Sequence, residues 1–201
     1  RTSIAIQQWV VIVLVCFLLG YTLSNYVITG ADRQATAIAS IEEISRVGDS
    51  QFPWNAQLSS GSAPAFHALK RDGSKLTLRD YRGYVVFLNF WATSCEPCRK
   101  EIPGLAKLAK RMNGLPFKIL AVSTDTDWNV VDQMFPNPEF GIEIALDPQP
   151  KSPIKMRFGT ERIPESYIID KYGNLRMRFV NAHPWDDERI HRYLEVLANE
   201  S

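Results

Sequence analysis

Hydrophobic residues are distributed in two different ways along this chain, and the change falls near Pro64. Before that point a single apolar run occupies residues 9–28, and no charged residue occurs from Ile4 through Ala31. A run of this length with aromatic residues at both ends is typical of a bilayer-spanning helix whose aromatic side chains lie at the interfaces. We therefore predict a single N-terminal transmembrane anchor within residues 1–30, in contact with lipid over its apolar run.

A cleaved signal peptide is the alternative interpretation of the same run. Arg1 precedes it and the small residues Gly30 and Ala31 follow it, as around a signal-peptide core. The run is long for such a core, however, so its length favours an uncleaved anchor. Cys16 lies inside the run, and we interpret it as an apolar residue that faces lipid or packs in the helix.

The segment that follows the anchor is polar and rich in small residues. We predict a stalk and linker over residues 31–61, because isoleucines recur there at helical spacing before a stretch that contains Ser-Ser-Gly-Ser. The linker-like composition extends from Gly48 to Ala63. A globular domain is predicted over residues 62–201.

From Pro64 onward, short apolar runs alternate with amphipathic segments of helical periodicity. The run at residues 84–92 is continuous, as in a strand buried on both faces of a sheet, and residues 117–125 predict the next buried strand. Asp72 and Gly73 separate two short alternating segments and predict a β-hairpin. Further strands are predicted at 142–147, 165–170 and 175–180, and helices at 95–113, 127–135, 152–159 and 186–197. This order predicts an α/β domain with a mixed central sheet and helices on both faces.

The composition excludes one class of function. Lys and Arg number 23 against 22 for Asp and Glu, so the chain lacks the basic excess of nucleic-acid-binding proteins, and we predict no nucleic-acid partner. Its 3 cysteines are too few for a disulfide scaffold or a four-thiolate zinc site. Their positions are therefore more informative than their number.

Two of the cysteines, Cys95 and Cys98, stand at the start of the helix predicted after the first buried strand. There the first sulfur lies near free backbone N–H groups and the positive end of the helix dipole, and the second lies within disulfide reach. Such a position lowers the pKa of a thiol, and the thiolate is the attacking species. We predict Cys95 as the nucleophile and Cys98 as the resolving thiol of a redox pair.

A zinc site and a structurally inert pair are the alternatives. Zinc would need two further ligands, and His67, His183 and His191 are not at ligand spacing from one another. The surrounding strand, turn and helix argue against inert cysteines. The redox interpretation is favoured, and it needs no cofactor beyond the Cys95–Cys98 disulfide itself.

The residues around the pair resemble a known family. The buried strand, Phe-Trp-Ala-Thr, the Cys-x-Pro-Cys, the glutamate after it and a later Ile-Pro are together similar to the membrane-anchored thioredoxin-like proteins of the TlpA/ResA type, over about residues 62–198. The resemblance implies a thioredoxin-like fold and reduction of disulfides in extracytoplasmic proteins, often in apocytochrome c during cytochrome c maturation. It also implies a membrane thiol-electron donor of the DsbD/CcdA type.

The resemblance further implies a location. It predicts a single-pass protein of the cytoplasmic membrane whose catalytic domain faces the periplasm or extracytoplasmic side. The charges that flank the span, Arg1 before it and Arg33 and Arg46 after it, leave this orientation undecided.

Two site residues besides the cysteines follow from the resemblance. Pro164 matches a proline whose peptide bond is cis and which lies against the cysteines, and Glu101 matches a candidate proton-transfer group. Glu101 follows Cys98 by three residues, so the two share one side of a helix. Burial would raise the pKa of its carboxyl toward the working pH. The alternative is a solvated glutamate paired with a neighbouring Lys or Arg.

Three positions depart from the pattern of the family or add a charge to it. Asn89 stands where thioredoxins carry a buried aspartate, which shifts proton transfer to the predicted glutamate or to water. Ser94 replaces an aromatic residue, so we expect less apolar cover over Cys95. Glu165 follows Pro164, and we hypothesise that its carboxylate lies near the substrate groove, where it raises the pKa of the nucleophile or selects basic partners.

The remaining aromatic residues and histidines carry no predicted chemistry. Core or surface-cover roles are predicted for Trp54, Phe90, Trp91 and Trp185. His183 and His191 are predicted to lie on the surface near the last helix.

Two other functions stay open at this stage. The anchored domain could be an accessory or structural subunit of a larger membrane complex, since a span with a helical stalk suits that role, and other membrane subunits would then be its partners. A peroxidase would need a Thr or Ser poised near its attacking cysteine; Thr93 is available, but a two-cysteine helix start argues against this chemistry.

Overall fold

The structure is a computed structural model that describes residues 14–22, 55–58, 61–134, 141–148 and 153–200. The chain divides into two units, Arg1–Ala39 and Ser40–Ser201. In the first unit, helix α1 covers residues 14–22 and its side chains are exposed, while the rest of the predicted anchor lies outside the described residues. No helix in the part of the chain that the structure describes is long and apolar enough to cross a membrane.

In the second unit, the described residues form one mixed sheet of eight strands. The strands are β1 (Asn55–Leu58), β2 (His67–Leu69), β3 (Lys75–Thr77), β4 (Val85–Trp91), β5 (Phe117–Ser123), β6 (Ile142–Leu146), β7 (Glu165–Ile169) and β8 (Leu175–Val180). Their order across the sheet is β1-β8-β7-β4-β5-β6-β2-β3. The central strands β4, β5 and β6 run parallel, and the outer neighbours pair antiparallel.

Helices cover both faces of this sheet. They are α2 (Glu96–Arg111), α3 (Trp128–Met134), α4 (Ile154–Arg157) and α5 (Glu188–Asn199). Side chains of α2, α3 and α5 pack on one face with Val85 and Phe87 of β4. Side chains of α4 and of the β2–β3 hairpin pack on the other face with Val86, Leu88 and Phe90. Every residue of β4 is buried, in keeping with a sequence that is apolar at every position except Asn89.

Helix α2 faces the sheet through one buried stripe. Its buried residues are Cys98, Glu101, Leu105 and Leu108, at alternating spacings of three and four. Residues at this spacing share one side of a helix, so the apolar contacts of Leu105 and Leu108 fix which side faces the core. Two of the predicted site residues, Cys98 and Glu101, lie on this stripe and are therefore buried.

From Pro64 onward the predicted elements are confirmed, whereas the predicted helical stalk lies outside the described residues. The strands and helices begin and end within a few residues of their predicted positions, and the hairpin turns at Gly73, whose φ of 79° suits a residue without a Cβ. The expected linker differs, because Asn55–Leu58 form β1 there and pair with β8, Asn55 opposite Val180. The linker interpretation is therefore wrong for these residues; the boundaries of the anchor, stalk and domain stay predictions.

Truncating the buried stripe of α2 should destabilise the domain. Leu108 is 0% exposed, so Leu108→Ala removes its apolar contacts and leaves a cavity. We expect the free energy of unfolding to fall by about 2–5 kcal/mol. Lys110→Ala, an exposed position on the same helix, should change it by less than about 0.5 kcal/mol. Urea unfolding of both variants measures the difference, and equal stabilities would contradict the packing described here.

Candidate active site

The cysteine pair lies where β4 gives way to α2. Cys95 is the N-cap residue of the helix, and its Sγ accepts a hydrogen bond from the Cys98 backbone N–H at 3.2 Å. The two cysteines form a disulfide, with their Cα atoms 5.3 Å apart. Cys95 is partly exposed, whereas Cys98 is 3% exposed. An incoming thiol or disulfide therefore meets Cys95 first.

The turn before Cys95 is fixed by the neighbouring parallel strand. Trp91 of β4 pairs with Ser123 of β5, and two residues further along both strands Thr93 meets Asp125. The Asp125 carboxylate accepts hydrogen bonds from the Thr93 backbone N–H at 2.8 Å, the Thr93 hydroxyl at 2.9 Å and the Ser123 hydroxyl at 2.6 Å. On the other side, Arg99 Nη1 donates to the Thr93 carbonyl at 2.8 Å. These bonds hold the chain that delivers Cys95 to the helix start.

The same bonds bear on the peroxidase alternative. The Thr93 hydroxyl, which that chemistry would direct at the attacking sulfur, donates to Asp125. It thereby serves to fix the turn, and the geometry does not favour a peroxidatic site.

Glu101 lies on the buried stripe one turn after Cys98 and is 3% exposed. Its Oε1 accepts hydrogen bonds from the His183 backbone N–H at 2.8 Å and from Trp185 Nε1 at 2.7 Å. Among the described residues its Oε2 has no hydrogen-bond partner. The alternative of a solvated glutamate paired with Lys or Arg is therefore wrong.

This environment favours the protonated form of the carboxyl. Burial raises the pKa of Glu101 to about 7, against the opposing effect of the two donors, the His183 backbone N–H and the Trp185 indole. The direction is the one expected for a carboxyl in an apolar site. Near neutral pH both protonation states are populated, which a group that takes up and releases protons requires.

The Ile163–Pro164 peptide bond is cis, as predicted. β7 runs antiparallel to β4, with Glu165 opposite Phe90. Pro164 therefore lies at the end of the sheet where β4 finishes and the cysteine turn begins. Its carbonyl accepts a hydrogen bond from the Asn181 backbone N–H at 3.1 Å. The register thus brings Pro164 and the cysteine turn to one edge of the sheet.

Glu165 does not lie as hypothesised. Its side chain is 1% exposed, forms an ion pair with Arg178 and accepts a hydrogen bond from the Tyr167 hydroxyl at 2.8 Å. Tyr167 packs in the cluster on the α4 face of the sheet, the face opposite α2. The carboxylate is occupied internally and is not exposed for the selection of basic partners.

The prediction of surface positions for His183 and His191 is also wrong, because they are 5% and 6% exposed. His183 Nε2 lies 3.0 Å from the Val180 carbonyl, and His191 Nε2 lies 2.8 Å from the Trp185 carbonyl. Burial lowers the pKa of His183, so its ring is neutral at pH 7. Both rings pack the loop between β8 and α5 onto the core.

Asn89 and three of the four aromatic residues predicted as core or cover lie where their sequence context predicts. Asn89 is buried and its Nδ2 donates to Ser166 Oγ at 2.9 Å, so it is a satisfied core amide. Phe90, Trp91 and Trp185 are buried, as core residues should be. Ser94 is exposed, whereas Trp54 lies outside the described residues.

Sequence reasoning missed Asp125 and the role of Trp185. Asp125 carried a usable signal, because parallel strands end at the same sheet edge, and the residues just beyond β4 and β5 must meet there. Trp185 carried none, since nothing in the spacing of the chain relates it to Glu101.

Comparison with known proteins agrees with this geometry. The AhpC/TSA family model matches residues 60–178. The thiol-disulfide oxidoreductase ResA of Bacillus cereus (strain ATCC 10987 / NRS 248) is 32% identical over 136 residues, which cover 68% of this chain and 76% of that protein. ResA of Bacillus subtilis (strain 168) is 27% identical over 197 residues, 98% of this chain and 94% of that protein.

A solved structure shares the fold. The crystal structure assigned as a thiol:disulfide interchange protein DsbE of Chlorobium tepidum superposes with a TM-score of 0.61 at 27% identity, over 70% of this chain and 99% of that one. The domain therefore has a thioredoxin-like fold, and its cysteine pair makes it a thiol-disulfide oxidoreductase. The chain belongs to the AhpC/TSA family, among relatives named thiol-disulfide oxidoreductase ResA.

The buried carboxyl should make stability depend on pH. The pKa of Glu101 is higher in the folded chain, about 7, than the 4.5 of an ordinary glutamate, so the folded state binds more protons between these values. Its stabilising effect is complete below about pH 4.5 and is lost as the pH rises through about 7. The shift corresponds to roughly 3 kcal/mol. Glu101→Gln cannot titrate and should lack this fall.

Urea unfolding of the oxidised chain from pH 4.5 to pH 8 measures the effect as the difference between the unsubstituted chain and the variant. Glu96→Gln is the control, because Glu96 is an exposed glutamate of the same helix and its replacement should leave the pH dependence in this window unchanged. Parallel curves for the unsubstituted chain and Glu101→Gln would show that the carboxyl does not titrate as described.

Proposed function

We propose that this chain is a membrane-anchored reductant of disulfides in extracytoplasmic proteins, such as apocytochrome c before haem attachment. The observation that carries the proposal is the unequal exposure of the cysteine pair, with Cys95 partly exposed at the helix start and Cys98 buried behind it. A thiol that must attack a foreign disulfide has to be accessible, and a thiol that resolves the intermediate does not.

The reaction proceeds through a mixed disulfide. In the reduced protein, the Cys95 thiolate attacks one sulfur of the substrate disulfide, forms a Cys95–substrate S–S bond and expels the other substrate sulfur as a thiolate. Cys98 then attacks Cys95 Sγ, the Cys95–Cys98 bond forms, and the second substrate sulfur leaves. The substrate disulfide gains two electrons and the cysteine pair loses two.

Glu101 supplies the proton chemistry of the second step. Cys98 must lose its proton before it attacks, and Glu101, one turn away on the same buried stripe, accepts that proton directly or through a water molecule. The proton then passes to the departing substrate thiolate. The turn before the cis-proline Pro164, at the same end of the sheet as the cysteine turn, presents its backbone to the extended substrate chain.

The wider cellular role rests on the relatives and on the apolar run over residues 9–28. We propose that this run anchors the chain in the cytoplasmic membrane, with the domain on the periplasmic or extracytoplasmic side. A membrane thiol transporter of the DsbD/CcdA type would return the oxidised pair to its reduced state. The pair itself holds the electrons, and the reaction uses no further cofactor.

The division of labour between the two sulfurs predicts which variant traps substrate. With Cys16→Ser as the common background, to remove the third thiol, Cys98→Ser should accumulate a mixed disulfide with a disulfide-containing apocytochrome c peptide, because nothing resolves it. Cys95→Ser should accumulate none above background. Non-reducing electrophoresis with mass mapping measures the adduct.

Two results would contradict the proposal. A stable adduct at Cys98 in Cys95→Ser would reverse the assigned roles. A chain that oxidises a dithiol peptide faster than it reduces the corresponding disulfide, at matched concentrations, would show that electrons flow in the other direction.

A further inference from the structure

The loop between β8 and α5 contacts both groups that flank the cysteines. Asn181 begins this loop in a left-handed conformation with φ of 70°, and its backbone N–H donates to the Pro164 carbonyl at 3.1 Å. His183 and Trp185, further along the loop, donate from the backbone N–H and from Nε1 to Glu101 Oε1. One short segment is thus hydrogen-bonded both to Pro164, just before β7, and to the Glu101 carboxyl on α2.

Trp185 is buried in this loop and contacts other rings of the core. It is 0% exposed, and its ring meets those of Phe87 and Phe179 edge to face, at centroid distances of 4.7 and 5.2 Å. Its carbonyl lies 2.8 Å from His191 Nε2. A Cβ at Gly104 of α2 would lie 3.3 Å from both the Cβ and the backbone N of Trp185. The helix and the backbone of the loop are therefore in close contact at Trp185.

The two donors act on one oxygen of the carboxyl only. Oε1 of Glu101 receives both hydrogen bonds, whereas Oε2 receives none from the described residues although it is buried. A carboxyl bound in this way is fixed in its rotation about the terminal torsion, because any turn would cost both bonds. A proton on Glu101 therefore belongs on Oε2.

We propose that Trp185 is a positioning residue, whose indole N–H fixes the orientation of the Glu101 carboxyl so that Oε2 is the oxygen that exchanges a proton with the cysteine pair. The inference rests on the proposed function of Glu101 and adds to it the group that determines its geometry. Trp185 itself touches neither substrate nor sulfur in this account, and it acts through the carboxylate alone.

Several ionisable side chains lie on the elements that contact Glu101 or its hydrogen-bond donors. Cys98 lies one turn earlier on α2, His183 lies in the loop, and His191 of α5 bonds the Trp185 carbonyl. Burial lowers the pKa of His183 and keeps its ring uncharged near neutral pH. The indole N–H favours the charged carboxylate, so its removal should raise the pKa of Glu101 further.

The test replaces the indole N–H and follows the carboxyl directly. In the full chain with labelled glutamate side chains, the Glu101 carboxyl resonance, assigned by its absence in Glu101→Gln, is titrated by NMR. Trp185→Phe should move its midpoint upward by about 1 to 2 pH units, roughly ten- to a hundredfold in the dissociation constant. The pH profile of disulfide exchange should move in the same direction.

Two further variants keep the result interpretable. Benzothienylalanine at position 185 keeps the shape of the indole but has sulfur in place of the N–H, and it should reproduce the shift if the smaller phenylalanine fails to fold. Trp128→Phe is the matched control, because Trp128 of α3 stacks with Arg71 at 5.0 Å and is not one of the hydrogen-bond donors to Glu101, and it should change neither midpoint nor profile.

An unchanged Glu101 midpoint in a folded variant that lacks the N–H would overturn the inference. A shifted midpoint with an unshifted pH profile of exchange would also overturn it, since Trp185 would then be merely structural. Failure of the proposed function would give a different result, because the unsubstituted chain itself would then reduce no disulfide.

Discussion

The packing of one face of helix α2 against the sheet determines the arrangement of the site. Leu105 and Leu108 must face the core, and the helical period then places Cys98 and Glu101 on the same buried side. Cys95, at the N-cap, precedes this stripe and stays partly exposed. The hydrophobic packing that stabilises the domain therefore also leaves the Cys95 sulfur accessible and buries the Cys98 sulfur.

Two acidic side chains in this domain are equally buried but have different partners. Glu165 is as buried as Glu101 but carries an ion pair with Arg178, which compensates the loss of water around its charge. Glu101 has only two neutral donors, and desolvation outweighs them. Desolvation without a compensating cation raises the pKa of Glu101, whereas Arg178 is a cationic partner for Glu165. The first arrangement suits proton transfer and the second suits structure.

Local patterns in the sequence sufficed for the sheet, the helices and the cysteine turn, because continuous apolar strands, helical periodicity and Cys-x-x-Cys are all short-range signals. The cis bond before Pro164 followed from family resemblance and not from local chemistry. Contacts between distant segments were not predictable in this way. The short, mixed sequence of β1 resembles a linker, because it gives little strand signal until β8 provides its partner.

His183 and Trp185 illustrate the same limit within the site. A histidine in a polar stretch before a helix is usually exposed, and only the packing of the loop against Phe179 and α2 buries this one. The close approach of Gly104 to Trp185 depends on two segments that are far apart in sequence. Tertiary packing thus decided which polar residues became part of the site.

The account predicts a specific order of reactivity for the reduced chain. Alkylation with iodoacetamide, followed by mass mapping over a pH series, reads both sulfurs in one experiment. Cys95 should react first, at a rate that is half-maximal below about pH 8.5, the pKa of an ordinary thiol, while Cys98 stays unmodified in the folded protein. Equal modification of the two cysteines, or a Cys95 rate that rises only above that pH, would contradict the separation of the sulfurs by the buried face of α2.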